Sequence, residues 1–143
     1  MFTGIVETTG LVRSVTRSAF GVRLVIDRGD WARSIEPGDS VAVNGCCLTH
    51  APRDGDAAGD LAFDVIKETL DVTTLGSLQV GDRVNLEASV TPTTAMGGHF
   101  VQGHVDGVAT VTNVYAGEDE WRVTFEVPRD LMPLGVRKGS IWL

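Results

Sequence analysis

The dipeptide Asn44-Gly45 lies between Ser40-Val41-Ala42-Val43 and Cys46-Cys47-Leu48-Thr49, and it constrains the fold more than any other part of the chain. Both residues tolerate φ > 0, which a two-residue type I′ turn requires, and the flanks are β-prone. The turn predicts a hairpin with Val43 opposite Cys46, Ala42 opposite Cys47, Val41 opposite Leu48 and Ser40 opposite Thr49. Opposed residues share a face, and neighbours along a strand alternate. One face is therefore Val41, Val43, Cys46 and Leu48, which is core material. The other face, Ser40, Ala42, Cys47 and Thr49, is small and carries two hydroxyls and a thiol. It reads either as a solvent-facing side or as room for a flat ligand. On the ligand reading, a large side chain at Ala42 blocks binding and spares the fold, and Cys47 rather than Cys46 meets the ligand.

Short β-prone runs continue on both sides of this hairpin, at Leu11–Thr16, Val22–Asp27, Leu61–Ile66 and Val84–Val90. Gly, Pro, Asp or Asn separate them, and only Asp30–Glu36 and Lys67–Leu75 suggest a turn or two of helix. Six short strands with close turn signals predict a small antiparallel barrel rather than a layered α/β domain. The polar stretch Ala51–Asp60 reads as an exposed hairpin loop, since its acidic spacing fails as a calcium loop and no Glu closes it.

Composition removes several function classes. The 143 residues suffice for one domain or two very small ones, and 43% hydrophobic with 22% charged residues is usual for a soluble globular protein. A formal net charge of −7 argues against nucleic acid, which needs a basic face. No apolar run approaches the roughly 20 residues of a membrane span. Met1-Phe2-Thr3-Gly4 lacks the basic and apolar regions of a secretory signal, so a cytoplasmic location is expected. The adjacent cysteines point to opposite faces and favour neither a disulfide nor a zinc site.

After Thr91–Gly98, which reads as a linker, the chain begins again. Phe2-Thr3-Gly4-Ile5-Val6-Glu7 aligns with Val101-Gln102-Gly103-His104-Val105-Asp106, and Val22–Asp27 aligns with Trp121–Glu126. Gly38–Val43 then answers Lys138–Leu143 at nearly the same offset, which marks an internal duplication. The second copy stops where the first makes its Asn-Gly turn. Domains are therefore expected at 1–96 and 97–143, the second an incomplete copy with Val123, Phe125 and Trp142 on an exposed apolar face.

Few residues advertise chemistry. His99 and His104 are five apart and face opposite sides of one strand, so they do not share a metal. His104 takes the place of Ile5 in the first copy and reads as a structural or a ligand-facing histidine. Asp64, Lys67, Glu68 and Thr69 offer donors and acceptors at a strand-to-helix junction, or else a helix cap and an exposed ion pair. No paired-carboxylate site, nucleophile–base pair or phosphate loop is present. The residues alone indicate a duplicated small barrel that binds a small polar heterocycle or a peptide.

The stretches M-F-T-G-I-V-E, V-N-G-C-C-L-T, F-D-V-I-K-E-T-L, G-D-R-V-N-L-E and G-G-H-F-V-Q-G-H-V-D-G resemble the riboflavin synthase family in order and spacing. The resemblance runs from Met1 to about Ser140 and extends to the family's non-catalytic lumazine-binding antenna relatives. It implies six-stranded Greek-key barrels in tandem, each holding one 6,7-dimethyl-8-ribityllumazine. Two such molecules dismutate to riboflavin and a ribitylamino-pyrimidinedione, with neither metal nor redox cofactor. It also implies a homo-oligomer, with one site from a first barrel and one from a second meeting across a subunit contact.

Carried onto this chain, the resemblance assigns Gly4, Ile5 and Val6 to the first pocket, together with Cys47, Leu48 and Thr49. Asp64, Val65, Ile66, Lys67, Glu68 and Thr69 are assigned to the ribityl chain and the heterocycle edge. Gly103, His104 and Val105 are given the corresponding part in the second barrel, with Lys138 near that site. Phe2 is expected as an aromatic arm beside the substrate, and Phe2, Cys47 and His104 as the catalytic candidates. The family's second-barrel counterparts of Asn44–Thr49 and Phe63–Leu70, and its C-terminal trimerising helix, are missing from these 143 residues, so the resemblance is to a C-terminally truncated member. Two function classes follow: an enzyme, or a binding module of the same fold without turnover.

Overall fold

The computed structural model describes residues 1–142. They form two compact units, Met1–Val105 with Trp142 and, separately, Asp106–Ile141. Compactness thus divides the chain at 105/106, later than the 96/97 boundary expected from the repeat. The reason is local. Residues 98–103 start the second copy in sequence but hydrogen-bond within the first unit, as His99, Val101 and Gly103 all do.

The hairpin has the expected form. Asn44 and Gly45 have φ of 46° and 80°. Strands β3 (Ser40–Val43) and β4 (Cys46–Thr49) pair in the four-residue register that the turn predicts. Asn44 also ties the turn to the neighbouring strand, because the Asn85 N–H donates to its Oδ1 at 2.8 Å. That neighbour is β6 (Arg83–Ala88), which pairs with β1 (Thr8–Ser18); β1 pairs with β2 (Gly21–Asp27), and β2 with β5 (Leu61–Ile66). The order β4-β3-β6-β1-β2-β5 leaves β4 and β5 at the two edges. The edges meet through a His50–Phe63 bridge and an Ala51 N–H to Ala62 C=O bond of 2.8 Å. Closure makes this a six-stranded antiparallel Greek-key barrel, and it removes the exposed edges that invite association.

Alternation along the strands fills the barrel with Val12, Leu24, Ile26, Val41, Val43, Leu61, Phe63, Val84 and Leu86, all buried. Each such side chain contributes about 1.5–3 kcal/mol relative to exposure. Expected and observed helix differ in one place. Lys67–Val72 is a short helix, α1, followed by a 3-10 turn at Thr74–Ser77. Asp30–Glu36 forms no helix. Distant bonds hold it open, with Trp31 Nε1 donating to Glu7 at 3.2 Å and Arg33 donating to both Glu7 carboxylate oxygens. No helix among the described residues is long and apolar enough to cross a membrane.

The second unit holds the hairpin of β7 (Thr110–Ala116) and β8 (Trp121–Glu126). Its register repeats that of β1 and β2 residue for residue. Val12 faces Ile26 as Val111 faces Phe125, and Val15 faces Leu24 as Val114 faces Val123. Even the irregularity is copied, between Val12 and Ser14 and again between Val111 and Asn113. Burial is not copied: Val111 and Val123 are 50% and 43% exposed, whereas Val12 and Leu24 are 1% and 2% exposed. Trp142, expected on the same exposed face as Val123, lies half-buried in the first unit against Phe2.

Candidate functional site

The opening segments of the two copies pair with each other. Phe2 N–H donates to Val101 C=O at 2.7 Å, Val101 N–H returns the bond to Phe2 C=O at 3.0 Å, and His99 N–H donates to Thr3 C=O at 2.8 Å. Phe2 and Val101 hold equivalent places in the repeat, so two equivalent residues pair reciprocally. Beyond this pair the segments diverge across the outer face of the hairpin. One runs to Cys47, whose N–H donates to Gly103 C=O at 2.8 Å. The other runs to Glu87, whose carboxylate accepts from Thr3 N–H, Thr3 Oγ1 and Gly4 N–H at 2.6, 2.7 and 3.2 Å.

This arrangement corrects the expected grouping. The residue hydrogen-bonded to the Cys47 strand is Gly103 from the second copy, whereas Gly4, at the start of Gly4–Val6, lies beside Val101, Trp142 and the Glu87 carboxylate. Gly103 is required where it sits. Its φ is +75°, and an added Cβ would stand 2.9 Å from Cys47 N and 3.1 Å from Gly45 O. His104 follows it and is exposed, and Val105 packs half-buried against the core.

The small face is also more closed than expected. Cys47 is partly exposed and Thr49 exposed, but Ala42 is only 2% exposed and pairs with the buried Glu87. Ala42→Trp is therefore expected to overpack the face rather than spare the fold, lowering stability by about 1–3 kcal/mol or more. Thermal unfolding of the variant measures this, and an unchanged midpoint contradicts it. Phe2, expected as an aromatic arm beside the substrate, is fully buried, its ring centroid 5.9 Å from that of Trp142. Leu48 and Val65 turn their side chains into the core and keep only backbone for a ligand. Ile5 and Val6 are about half exposed. Lys138 lies in the second unit, exposed, with φ of 61° at the place where the first copy has Gly38.

Asp64, at the exposed end of β5, does not cap α1, whose N-cap is Ile66 with no side-chain bond. It accepts instead from Arg23 Nη1 at 3.2 Å and Arg53 Nη2 at 2.7 Å. Arg23 also reaches Asp56 and the Ala51 carbonyl, which fastens the 51–60 loop to the barrel beside Asp64. Asp56 is held below the usual carboxylate range, first by the Arg53 backbone N–H and then by Arg23. Ile66 is exposed, Lys67 pairs with Asp71 one helical turn on, and Glu68 is exposed. Thr69 gives its carbonyl to Thr73 Oγ1.

The two thiols are unequal. Burial pushes Cys46 up to about 11, and it faces the core, whereas Cys47 is partly exposed on the outer face. At pH 8 a thiol titrating near 11 is ionised on the order of one part in 10³. Iodoacetamide at pH 8 is thus expected to label Cys47 first, with Cys46 labelled appreciably only as pH rises toward 11 or the chain unfolds. Peptide mapping after a timed exposure reads the order, and prior labelling of Cys46 refutes it.

Two residues matter here that sequence reasoning did not single out for the site. Glu87 ends G-D-R-V-N-L-E and, by strand alternation, shares the face of Ala42. That placement was its available signal. Arg53 sits in a loop with no motif and carried no signal.

Residues 3–89 match the Lumazine binding domain family. The chain belongs to that family. Among similar proteins are riboflavin synthase of Bacillus amyloliquefaciens, 37% identical over 141 residues, and that of Brucella abortus (strain 2308), 39% identical over 145 residues. The first alignment covers 99% of this chain and 64% of the relative, the second 100% and 72%. The chain thus spans slightly less than two thirds of the Bacillus protein. Among solved lumazine-binding structures, LumP complexed with riboflavin superposes with a TM-score of 0.80 at 32% identity, covering 93% of this chain and 71% of LumP. LumP complexed with 6,7-dimethyl-8-(1'-D-ribityl) lumazine gives 0.78 at 31% identity, covering 95% and 71%.

Proposed function

We propose that the chain carries a ribityllumazine site of riboflavin synthase, the transferase that dismutates two 6,7-dimethyl-8-ribityllumazine molecules into riboflavin and a ribitylamino-pyrimidinedione. The observation that carries this reading is the Gly103 arm lying on the Cys47 strand of a lumazine-binding barrel, with His104 exposed next to it. The two products together contain every atom of the two substrates, so the reaction balances without an oxidant or reductant. What it needs from protein is orientation, which alone can supply several orders of magnitude in rate.

In this reading the backbone of Leu48 and Gly103 and the side chains of Cys47 and Thr49 hold the heterocycle. Asp64, the exposed Ile66, Lys67 and Glu68, and the half-buried Thr69 take the ribityl chain. His104 is the titratable group suited to move the acidic methyl proton of one lumazine, and the Cys47 thiol the nucleophile suited to add to the other. Phe2, being buried, anchors the arms rather than touching substrate. Gly4–Val6 line the first pocket, Lys138 belongs to the site of the second copy, and the working protein is a cytoplasmic homo-oligomer.

A non-catalytic binding module is the second reading, favoured by the likeness to LumP bearing riboflavin. One experiment separates them. The purified chain, and a version extended with the remaining C-terminal part of the Bacillus amyloliquefaciens relative, are titrated with ribityllumazine and then followed for riboflavin fluorescence. The enzyme reading expects saturable binding by both and riboflavin formation by the extended version. Binding without turnover in the extended version supports the module, and absence of binding overturns both.

A further inference from the structure

Glu87 is a carboxylate 3% exposed, on the outside of the barrel, where strand alternation normally leaves charged side chains in water. A buried carboxylate is costly unless donors surround it. Here the donors come from a single stretch of chain: Thr3 N–H and Thr3 Oγ1 to one oxygen, Gly4 N–H to the other. Thr3 Oγ1 in turn accepts from Ile5 N–H at 3.1 Å, so the carboxylate organises three consecutive residues of the arm. Immediately before Thr3, Phe2 is bonded in both directions to Val101, and two residues beyond Val101 the Gly103 carbonyl holds Cys47 N–H. From the Glu87 carboxylate onward, the path to the Cys47 strand therefore runs through backbone.

We infer that Glu87 is a positioning residue, whose carboxylate sets the register of the N-terminal arm and, through the Phe2–Val101 pair, the seat of Gly103 and His104 on the ligand face. This rests on the site assignment proposed above for Cys47, Gly103 and His104. A fixed charge is suited to the task, because charge-assisted bonds to backbone N–H groups are short and directional. An amide is not equivalent: Gln at 87 can still accept from Thr3, but it turns an NH₂ toward the Gly4 N–H.

The test compares wild type with Glu87→Gln, Glu87→Ala and Thr3→Val, each assayed well below its own melting temperature. Val12→Ala serves as a control that lowers stability from the core without touching the arms. Two readouts are taken: the rate of Cys47 alkylation in the folded protein, and the dissociation constant for riboflavin. The expected result is Cys47 labelled several-fold faster in both Glu87 variants, with riboflavin affinity reduced about tenfold in Glu87→Ala and less in Glu87→Gln and Thr3→Val. Val12→Ala is expected to move neither readout. Affinity changes that follow melting temperature across all four variants make Glu87 merely structural and overturn the inference. So does faster labelling at unchanged affinity, or an unchanged labelling rate. If wild type binds no riboflavin, the proposed function fails instead, and the labelling rates still decide whether Glu87 holds the arm.

Discussion

Gly103→Ala is expected to abolish most ligand binding while leaving the first barrel folded. The new Cβ would meet Cys47 N at 2.9 Å, Cys47 Cβ at 3.0 Å and Gly45 O at 3.1 Å, so two of the three neighbours are backbone of a tight turn and its strand. The residue's φ of +75° adds the strain of a left-handed alanine, of order 1–3 kcal/mol. Neither burden falls on the barrel, because Gly103 belongs to no strand of the six-stranded sheet. The arm is displaced instead, and with it His104. At about 1.4 kcal/mol per tenfold, an arm penalty of this size reduces riboflavin affinity roughly 10- to 100-fold. Titration by flavin fluorescence, beside circular dichroism to verify the fold, measures it. A folded Gly103→Ala protein with wild-type affinity removes Gly103 from the site.

Gly21→Ala is expected to have the largest effect on stability. Gly21 closes the tight turn between β1 and β2 and pairs with both Ser18 and Ile66. An added Cβ there would lie 2.0 Å from the Val65 carbonyl oxygen, a backbone atom inside the β2–β5 ladder, and φ is +151°. Relief requires unzipping that end of the ladder, where Val65 is buried and Asp64 holds its arginine pair. A loss of about 3 kcal/mol or more follows, at the severe end for a single substitution. For a chain of this length that lowers the melting temperature by roughly 10 °C. A shift within about 2 °C of wild type would show that the strands can part at little cost.

The hairpin could be read in full because its information is local. Asn-Gly dictates the turn, the turn dictates the register, and the register dictates which of two adjacent cysteines enters the core. The duplication was equally visible, since strands β7 and β8 reproduce the register of β1 and β2. What stayed hidden was partnership. Alignment identifies Gly103 as the equivalent of Gly4 but does not say which hairpin each one touches, and the structure puts Gly103 on Cys47 and Gly4 beside Glu87. Ala42 looked like an open floor because its partner on β6, the buried Glu87, is far away in the sequence. Asp30–Glu36 misled for a related reason. Trp31 and Ile35 have helical spacing, but Glu7 and the core claim that segment through long-range contacts that local propensity does not register.

The copied bulge has a consequence for how the chain reaches its fold. Two hairpins with the same register and the same irregularity present nearly interchangeable edges to β5 and β6. During refolding from denaturant, β7–β8 can dock where β1–β2 belongs, in the same molecule or in another, and the wrong pairing satisfies most of the same backbone bonds. Such mispaired species are a characteristic trap of tandem repeats and grow with protein concentration. The discrimination has to come from side chains that differ between the copies, such as Gly10, whose position leaves no room for a Cβ between Ile26 and Leu86. Its counterpart in β7 carries one, as alanine at position 109 immediately before Thr110. That methyl group, with replacements such as Trp121 for Val22 and Thr124 for Val25, separates the correct hairpin from its double.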